Sequence, residues 1–269
     1  MEEVRMQTPA LSAKNLYVGY GGTNIIDGLD VDIPRGELTV IVGPNACGKS
    51  TLLRSLIRVL SAEGAIYLDG KDIKKMGSKD IARQMGLLPQ SPVAPEGIVV
   101  YDLVARGRYP HQDMLGRWTK ADETAVNSAL RRARVEAFQD KRLDELSGGQ
   151  RQRVWLAMVL AQDTPIVLLD EPTTYLDITH QVQVLNLARD LHRSGVTVVT
   201  VLHELTLAFR YATNLIVMKD GAIQAQGPVD EVVTEDLLQE VYGLNCRLVE
   251  DPESGRPIVV PRLLDAENP

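Results

Sequence analysis

One stretch of the sequence, GELTVIVGPNACGKSTLLRSLIRVL, limits the folds open to this chain more than any other. It begins as a continuous apolar segment typical of a buried strand, passes through a loop with two glycines, and continues with the apolar periodicity of a helix. The loop, Gly43 to Ser50, matches the pattern G-x-x-x-x-G-K-S/T at every fixed position. The order strand, loop, helix predicts an α/β protein in which this loop wraps a phosphate group.

The residue types of the loop suit the phosphates of a nucleotide. Glycines let the backbone amides close around the β and γ phosphates, Lys49 brings them a positive charge, and the Ser50 hydroxyl is a ligand for Mg²⁺. Cys47 is open to two interpretations: a small side chain that fits the loop, or a thiol that ionises easily because it lies beside Lys49 at a helix N-terminus. The predicted contacts are Gly43, Pro44, Asn45, Ala46, Cys47, Gly48, Lys49, Ser50 and Thr51.

The order of predicted elements indicates an α/β core with a helical insertion. Short alternating segments between residues 14 and 33 predict a small antiparallel sheet, and strands alternate with helices again from PIVLLDEP onward. Between them the pattern is helical, and TKADETAVNSALRRARVEAF reads as one helix. We predict a single domain over residues 1–269, with a core lobe at about 10–90 and 164–269 and a helical lobe at about 91–163. The core is expected to be a mostly parallel sheet with helices on both faces.

Composition and charge exclude several classes of protein. No apolar run approaches the roughly 18 residues that cross a bilayer, and the N-terminus lacks a signal-peptide core, so we expect a cytosolic chain. The 2 cysteines and 4 histidines have no spacing typical of structural zinc. The formal net charge of −7 disfavours nucleic acid or an anionic membrane surface as the main partner. We interpret the local cluster of Arg131, Arg132 and Arg134 as a solvated helix face.

Polar residues follow three predicted strands where each strand ends. In IVLLDEP the four apolar residues are followed by Asp170 and Glu171, Gln90 follows MGLLP, and His203 follows VTVVTVL. In nucleotide hydrolysis one carboxylate holds the metal and a neighbouring one activates the attacking water. We assign the first role to Asp170 and the second to Glu171. A strand ending in DEP is also compatible with simple capping before a turn, but the phosphate loop favours the catalytic interpretation. Ligands bind at this edge of such sheets, so Gln90 and His203 are predicted to approach the γ phosphate and the metal.

A second glycine motif, LSGGQRQR, spans Leu146 to Arg153. Its two glycines precede a helical run, so bare backbone amides are predicted at a helix start, where anions bind. With GPNACGKST, Gln90, IVLLDEP, TTYLD and His203 it gives the chain a resemblance to the ATP-binding-cassette ATPases, the nucleotide-binding subunits of ABC transporters. The resemblance covers nearly the whole chain, and LSGGQ separates this family from other phosphate-loop ATPases.

The resemblance implies roles for individual residues in ATP binding and hydrolysis. Tyr20 would stack on adenine, with Tyr17 as a competing candidate, Asp177 would communicate across a dimer, and Gln90 would link the metal to the transport subunits. The catalytic set would be Glu171, His203, Gln90 and Lys49, and the Mg²⁺ ligands Ser50, Gln90 and Asp170. The signature residues Ser147, Gly148, Gly149 and Gln150 would close on the nucleotide held by a partner cassette. Cys47 departs from the small residue that the family commonly has there.

The resemblance also implies partners and a cargo. These are a second copy of the chain, paired head to tail, two membrane permease subunits on whose cytoplasmic face the chain lies, and indirectly a substrate-binding protein, with no nucleic acid. The segment VARGRYPHQ and the C-terminal part of the chain resemble ATPases of bacterial iron-siderophore importers, with those for cobalamin and haem close behind. A soluble ABC-type ATPase that acts on ribosomes or DNA is the alternative. The single cassette, the lack of long coiled-coil heptads and the acidic charge weigh against it.

Overall fold

The computed structural model describes residues 8–20, 23–113 and 116–263. The chain divides after residue 70 and after residue 200 into two compact units. The first unit contains the chain up to residue 70 and from residue 201 onward, and the second contains residues 71–200. This division does not test the predicted boundaries of the core and helical lobes, which stay a prediction.

The described strands and α-helices follow one another in the order β1 (Leu11–Tyr20), β2 (Thr23–Ile33), β3 (Leu38–Val42), α1 (Lys49–Leu56), β4 (Glu63–Leu68), β5 (Lys71–Asp72), α2 (Ser78–Gln84), β6 (Met85–Leu88), α3 (Val100–Ala105), α4 (Lys120–Arg132), α5 (Gly148–Ala161), β7 (Ile166–Asp170), α6 (Ile178–Arg193), β8 (Thr197–Val201), α7 (Leu205–Tyr211), β9 (Asn214–Lys219), β10 (Ala222–Gly227), α8 (Val229–Val232), α9 (Glu235–Tyr242), β11 (Cys246–Glu250) and β12 (Pro257–Pro261). None of these helices is both long enough and apolar enough to cross a membrane.

The first unit contains the predicted antiparallel sheet, in which β1 pairs with both β2 and β4. A second set of strands carries the phosphate loop, because β3 pairs in parallel with β9 from Thr39 opposite Asn214 to Val42 opposite Val217. All five residues of β3 are buried, which explains why this strand reads as an unbroken apolar run rather than an alternating one. The antiparallel hairpin of β11 and β12 closes the described part of the chain.

The second unit combines parallel strands with the helices of the insertion. Strands β6 and β7 run in parallel with Met85 opposite Ile166 and Leu88 opposite Leu169, so their carboxyl ends are neighbours. Helix α3 packs against α5, and so does α4. A buried ion pair supports this packing, since Arg108 Nε lies 2.9 Å from Asp122 Oδ1. The second guanidinium nitrogen, Arg108 Nη1, donates to the carbonyl of Ala161 at 2.8 Å.

Helix α4 is shorter than the sequence predicts. It ends at Arg132, and Arg134 has a left-handed backbone with φ of 57°. The Val135 amide then donates to the Leu130 carbonyl at 3.0 Å, and the Val135 side chain is fully buried. A left-handed residue followed by an inward apolar contact is a common way to end a helix. The expected single helix over TKADETAVNSALRRARVEAF is therefore wrong, and Arg134 does not belong to a helix face.

Candidate active site

The phosphate loop is shaped by close backbone packing in the first unit. Gly43 follows β3 with φ of 154°, and a Cβ atom at this position would lie 2.2 Å from the Met218 carbonyl oxygen. Ala46 and Gly48 also have positive φ, of 63° and 102°. Gly48 is the N-cap of α1 and brings no side-chain cap, so the first turn of this helix faces the loop with backbone amides. This arrangement suits an anion at the helix N-terminus, as the sequence predicts.

Lys49 is held inside the loop. The residue is only 4% exposed, and its ammonium group donates to the carbonyls of Gly43 at 2.8 Å and Pro44 at 2.7 Å. These two hydrogen bonds hold the ammonium group against the phosphate loop at the N-terminus of α1, where it can contact a phosphate. Asn45 and Ala46 are exposed, and Ser50 and Thr51 are partly exposed at the start of α1.

Cys47 is a buried, neutral member of the loop. The residue is 3% exposed, its sulfur lies 3.9 Å from Lys49 Nζ, and its carbonyl accepts a hydrogen bond from the Gly221 amide at 3.1 Å. Burial raises the pKa of the thiol, and the charge of Lys49 offsets this only in part. The expectation that this thiol ionises easily is therefore wrong. A small side chain that fits the loop is the interpretation that the structure supports.

His203 also belongs to the first unit. The amide of Leu202 donates to the Ile41 carbonyl at 3.2 Å, which sets His203 near the carboxyl end of β3, close to where the phosphate loop begins. Its side chain is exposed. Tyr20 is the last residue of β1, but its side chain lies outside the described residues, so adenine stacking stays a prediction. Tyr17 is 38% exposed and lies over Gly28, where a Cβ atom would come 3.1 Å from its hydroxyl.

In the second unit, Gln90 and Glu171 meet at the ends of β6 and β7. Gln90 Nε2 donates to Glu171 Oε2 at 2.5 Å, and the Thr174 hydroxyl donates to the same oxygen at 3.1 Å. Asp170 is fully buried, whereas Glu171 is partly exposed. Glu171 also has a left-handed backbone with φ of 51°, a costly conformation for this residue type that is typical of functional sites. The two donors orient the carboxylate. Thr174 lies in the segment TTYLD, but no role for it was predicted from the sequence.

The LSGGQ motif forms a capped helix start. Ser147 Oγ accepts the Gln150 amide at 3.3 Å, while Gln150 Oε1 accepts the Ser147 amide at 2.9 Å. This reciprocal capping box occupies the Gln150 amide, so the predicted bare amides are confined to the glycines. Ser147 and Gly148 are exposed, and a Cβ atom on Gly148 would meet nothing within 4 Å.

The second glycine of the motif contacts the start of α6. Gly149 is buried, and a Cβ atom there would lie 2.4 Å from the imidazole ring of His180. Asp177 caps α6: its Oδ1 accepts the His180 amide at 2.9 Å and lies 2.8 Å from His180 Nδ1. These hydrogen bonds hold the pKa of Asp177 below its usual value. The contact with His180 thus joins the signature helix to the Asp177 turn. A capping residue with a histidine three positions later is the only sequence signal for it.

Comparison with known proteins agrees with this geometry. The ABC transporter family matches residues 26–174. The ferric enterobactin transport ATP-binding protein FepC of Escherichia coli (strain K12) is 50% identical over 253 residues, which cover 93% of each chain. The petrobactin import ATP-binding protein FpuD of Bacillus anthracis is 51% identical over 254 residues, covering 94% of this chain and 93% of FpuD.

A solved dimeric structure of a bacterial ABC transporter cassette has the same fold. It superposes with a TM-score of 0.71 at 26% identity and covers 81% of this chain and 98% of its own. The sequence match, the relatives at half identity and the shared fold all include the phosphate loop. The chain therefore belongs to the ABC transporter family.

Proposed function

We propose that this chain is the ATP-hydrolysing subunit of an ABC importer and that the cargo is an iron-siderophore complex. The observation that carries the proposal is 50% identity to a ferric enterobactin transport subunit over 93% of both chains. FpuD, at 51% identity, also has a siderophore, petrobactin, in its name. The cassette works on the cytoplasmic face of the membrane, bound to the permease.

The first unit binds the phosphates. The amides of the loop and the Lys49 ammonium contact the β and γ phosphates, and the glycines allow the backbone to approach them closely. The Ser50 hydroxyl of this unit is a hard oxygen donor of the kind that Mg²⁺ prefers. The Gln90 amide oxygen and the Asp170 carboxylate, which belong to the second unit, are the other proposed ligands. When bound, Mg²⁺ neutralises charge that develops on the phosphates. His203 contacts the γ phosphate, and Tyr20 stacks on the adenine, with Tyr17 as the competing candidate.

Glu171 is the general base in this proposal. Its carboxylate takes a proton from the attacking water, and the hydrogen bonds from Gln90 and Thr174 hold it in one orientation. Gln90 is a positioning residue as well as a metal ligand, since its amide group has one nitrogen donor and one oxygen acceptor. Because the same side chain contacts Glu171 and would hold Mg²⁺, a movement of Gln90 would change both the orientation of the base and the coordination of the metal.

Two copies of the chain pair head to tail, so that the exposed Ser147 and Gly148 of one copy close on the nucleotide of the other. The solved dimeric cassette structure with the same fold supports the pairing of two copies. Asp177, next to the signature helix through His180, carries information across the dimer.

Light scattering tests the paired arrangement. In the Glu171→Gln variant ATP binds without being cleaved, so the measured mass should double when ATP is added. A further Ser147→Arg substitution introduces a large cation where the signature amides approach the partner's γ phosphate, and it should abolish this doubling. Ser61→Arg is the matched control, because it makes the same change at an exposed serine outside the signature motif, and it should leave the doubling intact.

The affinity of the monomer for ATP decides between the two arrangements. At a concentration too low for pairing, Ser147→Arg should not change the ATP affinity, because the motif serves the partner's nucleotide. Loss of monomer affinity as large as that caused by Lys49→Ala would mean that LSGGQ contacts the nucleotide of its own chain, and the head-to-tail proposal would be wrong.

The permease partner is tested by affinity capture from solubilised membranes. Two polytopic membrane subunits should co-purify with the chain, and a substrate-binding protein should join them when the cargo is added. Recovery of ribosomal proteins or DNA instead would support the soluble ABC-type ATPase. That alternative is not favoured, because relatives at about half identity are named as import and transport subunits.

A further inference from the structure

A small cavity lies in the second unit, and none of the residues that line it is assigned to nucleotide chemistry. Its volume is about 110 Å³, and it is lined from α4 and the turn after it, from α5 and from α6. The polar side chains around it belong to Arg132, Arg134, Arg153, Gln183, Asn186 and Asp190. A volume of this size holds several water-sized atoms, which suits a five-atom oxyanion and is too small for a nucleoside.

The cavity collects positive charge from separate parts of the chain. Arg132 is the last residue of α4, Arg134 stands in the left-handed turn that follows, and Arg153 comes from α5. The three guanidinium groups and the one carboxylate that line the cavity, that of Asp190, give it a net charge of plus two. Within the described ranges, none of the ion pairs includes any of these three arginines. Burial and the charge of Arg134 both lower the pKa of Arg153, as expected for crowded cations.

Two buried polar atoms beside the cavity lack hydrogen-bond partners. Arg153 Nε is a buried donor without an acceptor, and Gln183 Oε1 is a buried acceptor without a donor. Buried polar atoms are nearly always paired in folded proteins, because leaving one unpaired costs free energy. A ligand that offers both acceptors and one donor would satisfy both atoms at once.

We propose that this cavity binds a phosphate group, at a site separate from the nucleotide site and independent of the proposed function. Monohydrogen phosphate has two negative charges to match the net charge of the cavity. Its oxygens accept from the guanidinium groups, as phosphates commonly do from arginine. Its single O–H donates to Gln183 Oε1. Sulfate has the same shape and charge but no proton at neutral pH, so it satisfies the arginines and leaves Gln183 unpaired.

Equilibrium dialysis of the full chain with radiolabelled orthophosphate tests the proposal. The protein has the Lys49→Ala substitution and no nucleotide is present, so that the phosphate loop does not dominate binding. Saturable binding of one phosphate per chain is expected. Adding Arg132→Gln should raise the dissociation constant by about tenfold or more, the usual effect of losing a charged hydrogen bond. Arg131→Gln is the matched control, because Arg131 is the preceding residue, is also exposed and does not line the cavity.

Competition experiments identify the source of the phosphate group. Orthophosphate should displace the label better than sulfate does, because only the former donates to Gln183. Displacement by glycerol 3-phosphate as well would support a phosphate ester as the natural ligand, and its failure would support free orthophosphate.

Two results would overturn the proposal. One is the absence of saturable binding by folded Lys49→Ala protein. The other is an equal effect of Arg131→Gln and Arg132→Gln, which would show that only the general surface charge matters. Because Arg132 is exposed, its substitution leaves the core intact, and circular dichroism of both variants verifies this.

Discussion

Replacing Glu171 with Gln removes a base and little else. The structure gives the reason: Glu171 Oε2 accepts hydrogen bonds from Gln90 at 2.5 Å and from Thr174 at 3.1 Å. A glutamine in the same rotamer keeps an oxygen at that position, so both donors remain satisfied and the end of β7 keeps its shape. What is lost is a carboxylate that takes a proton from water. A placed general base contributes roughly 10²–10⁴ in rate, or about 3–5 kcal/mol of barrier.

Steady-state phosphate release with ATP and Mg²⁺ measures this loss, and calorimetric titration checks that the ATP affinity stays the same. Thr174→Val is the matched control, because it removes one of the two donors and leaves the carboxylate. A hydrogen bond to a charged group is worth about 1.5–3 kcal/mol, so this variant should slow turnover by about a hundredfold at most. Turnover of Glu171→Gln close to that of the unmodified chain would refute the role of Glu171. A Thr174→Val effect as large as that of Glu171→Gln would show that orientation, and not proton transfer, is decisive.

Three further predictions concern the loop and the helical insertion. Lys49→Ala should weaken ATP binding by about 1.5–3 kcal/mol in calorimetry because the phosphates lose their cation, and unchanged affinity would contradict its role. Cys47 should react with iodoacetamide more slowly than a small free thiol at neutral pH, as followed by mass spectrometry, because its raised pKa leaves less thiolate and the residue is 3% exposed. Asp122→Asn should cost about 3 kcal/mol in urea unfolding, since it leaves the buried Arg108 charge without its partner. Burial acts to raise the pKa of Asp122, but hydrogen bonds from Thr119 and Arg108 outweigh it and lower the pKa. The difference between the unmodified chain and Asp122→Asn should therefore persist above the unfolded pKa and shrink as the pH falls through the folded one.

Local sequence determined the elements whose signals are short-range. The phosphate loop needs glycines where the backbone turns, so the motif predicts its conformation as well as its ligand. Gly43 shows why, since the Met218 carbonyl would lie 2.2 Å from any Cβ atom. Because parallel strands end at the same edge, the sequence also predicts that Gln90 lies at the edge of the sheet where Asp170 and Glu171 follow their strand. The structure places Gln90 there, within hydrogen-bond distance of Glu171.

The tertiary structure alone decided properties that depend on residues far apart in the chain. The pKa of Cys47 is raised by burial, which its neighbours in the sequence do not indicate. Lys49, two residues later, had suggested a lowered pKa instead. The Thr174 hydroxyl becomes important only because the turn after β7 brings it back to Glu171. Likewise, local sequence does not show that α4 ends at Arg132 because Val135 is buried. Nor does it show that Arg132 and Arg134, which are exposed as predicted, line a cavity together with Arg153 of α5. A motif depends on neighbouring residues in the sequence and can be recognised there. Burial, the crowding of charges and the pairing of polar atoms depend on every element that packs around a residue, so only the tertiary structure decides them.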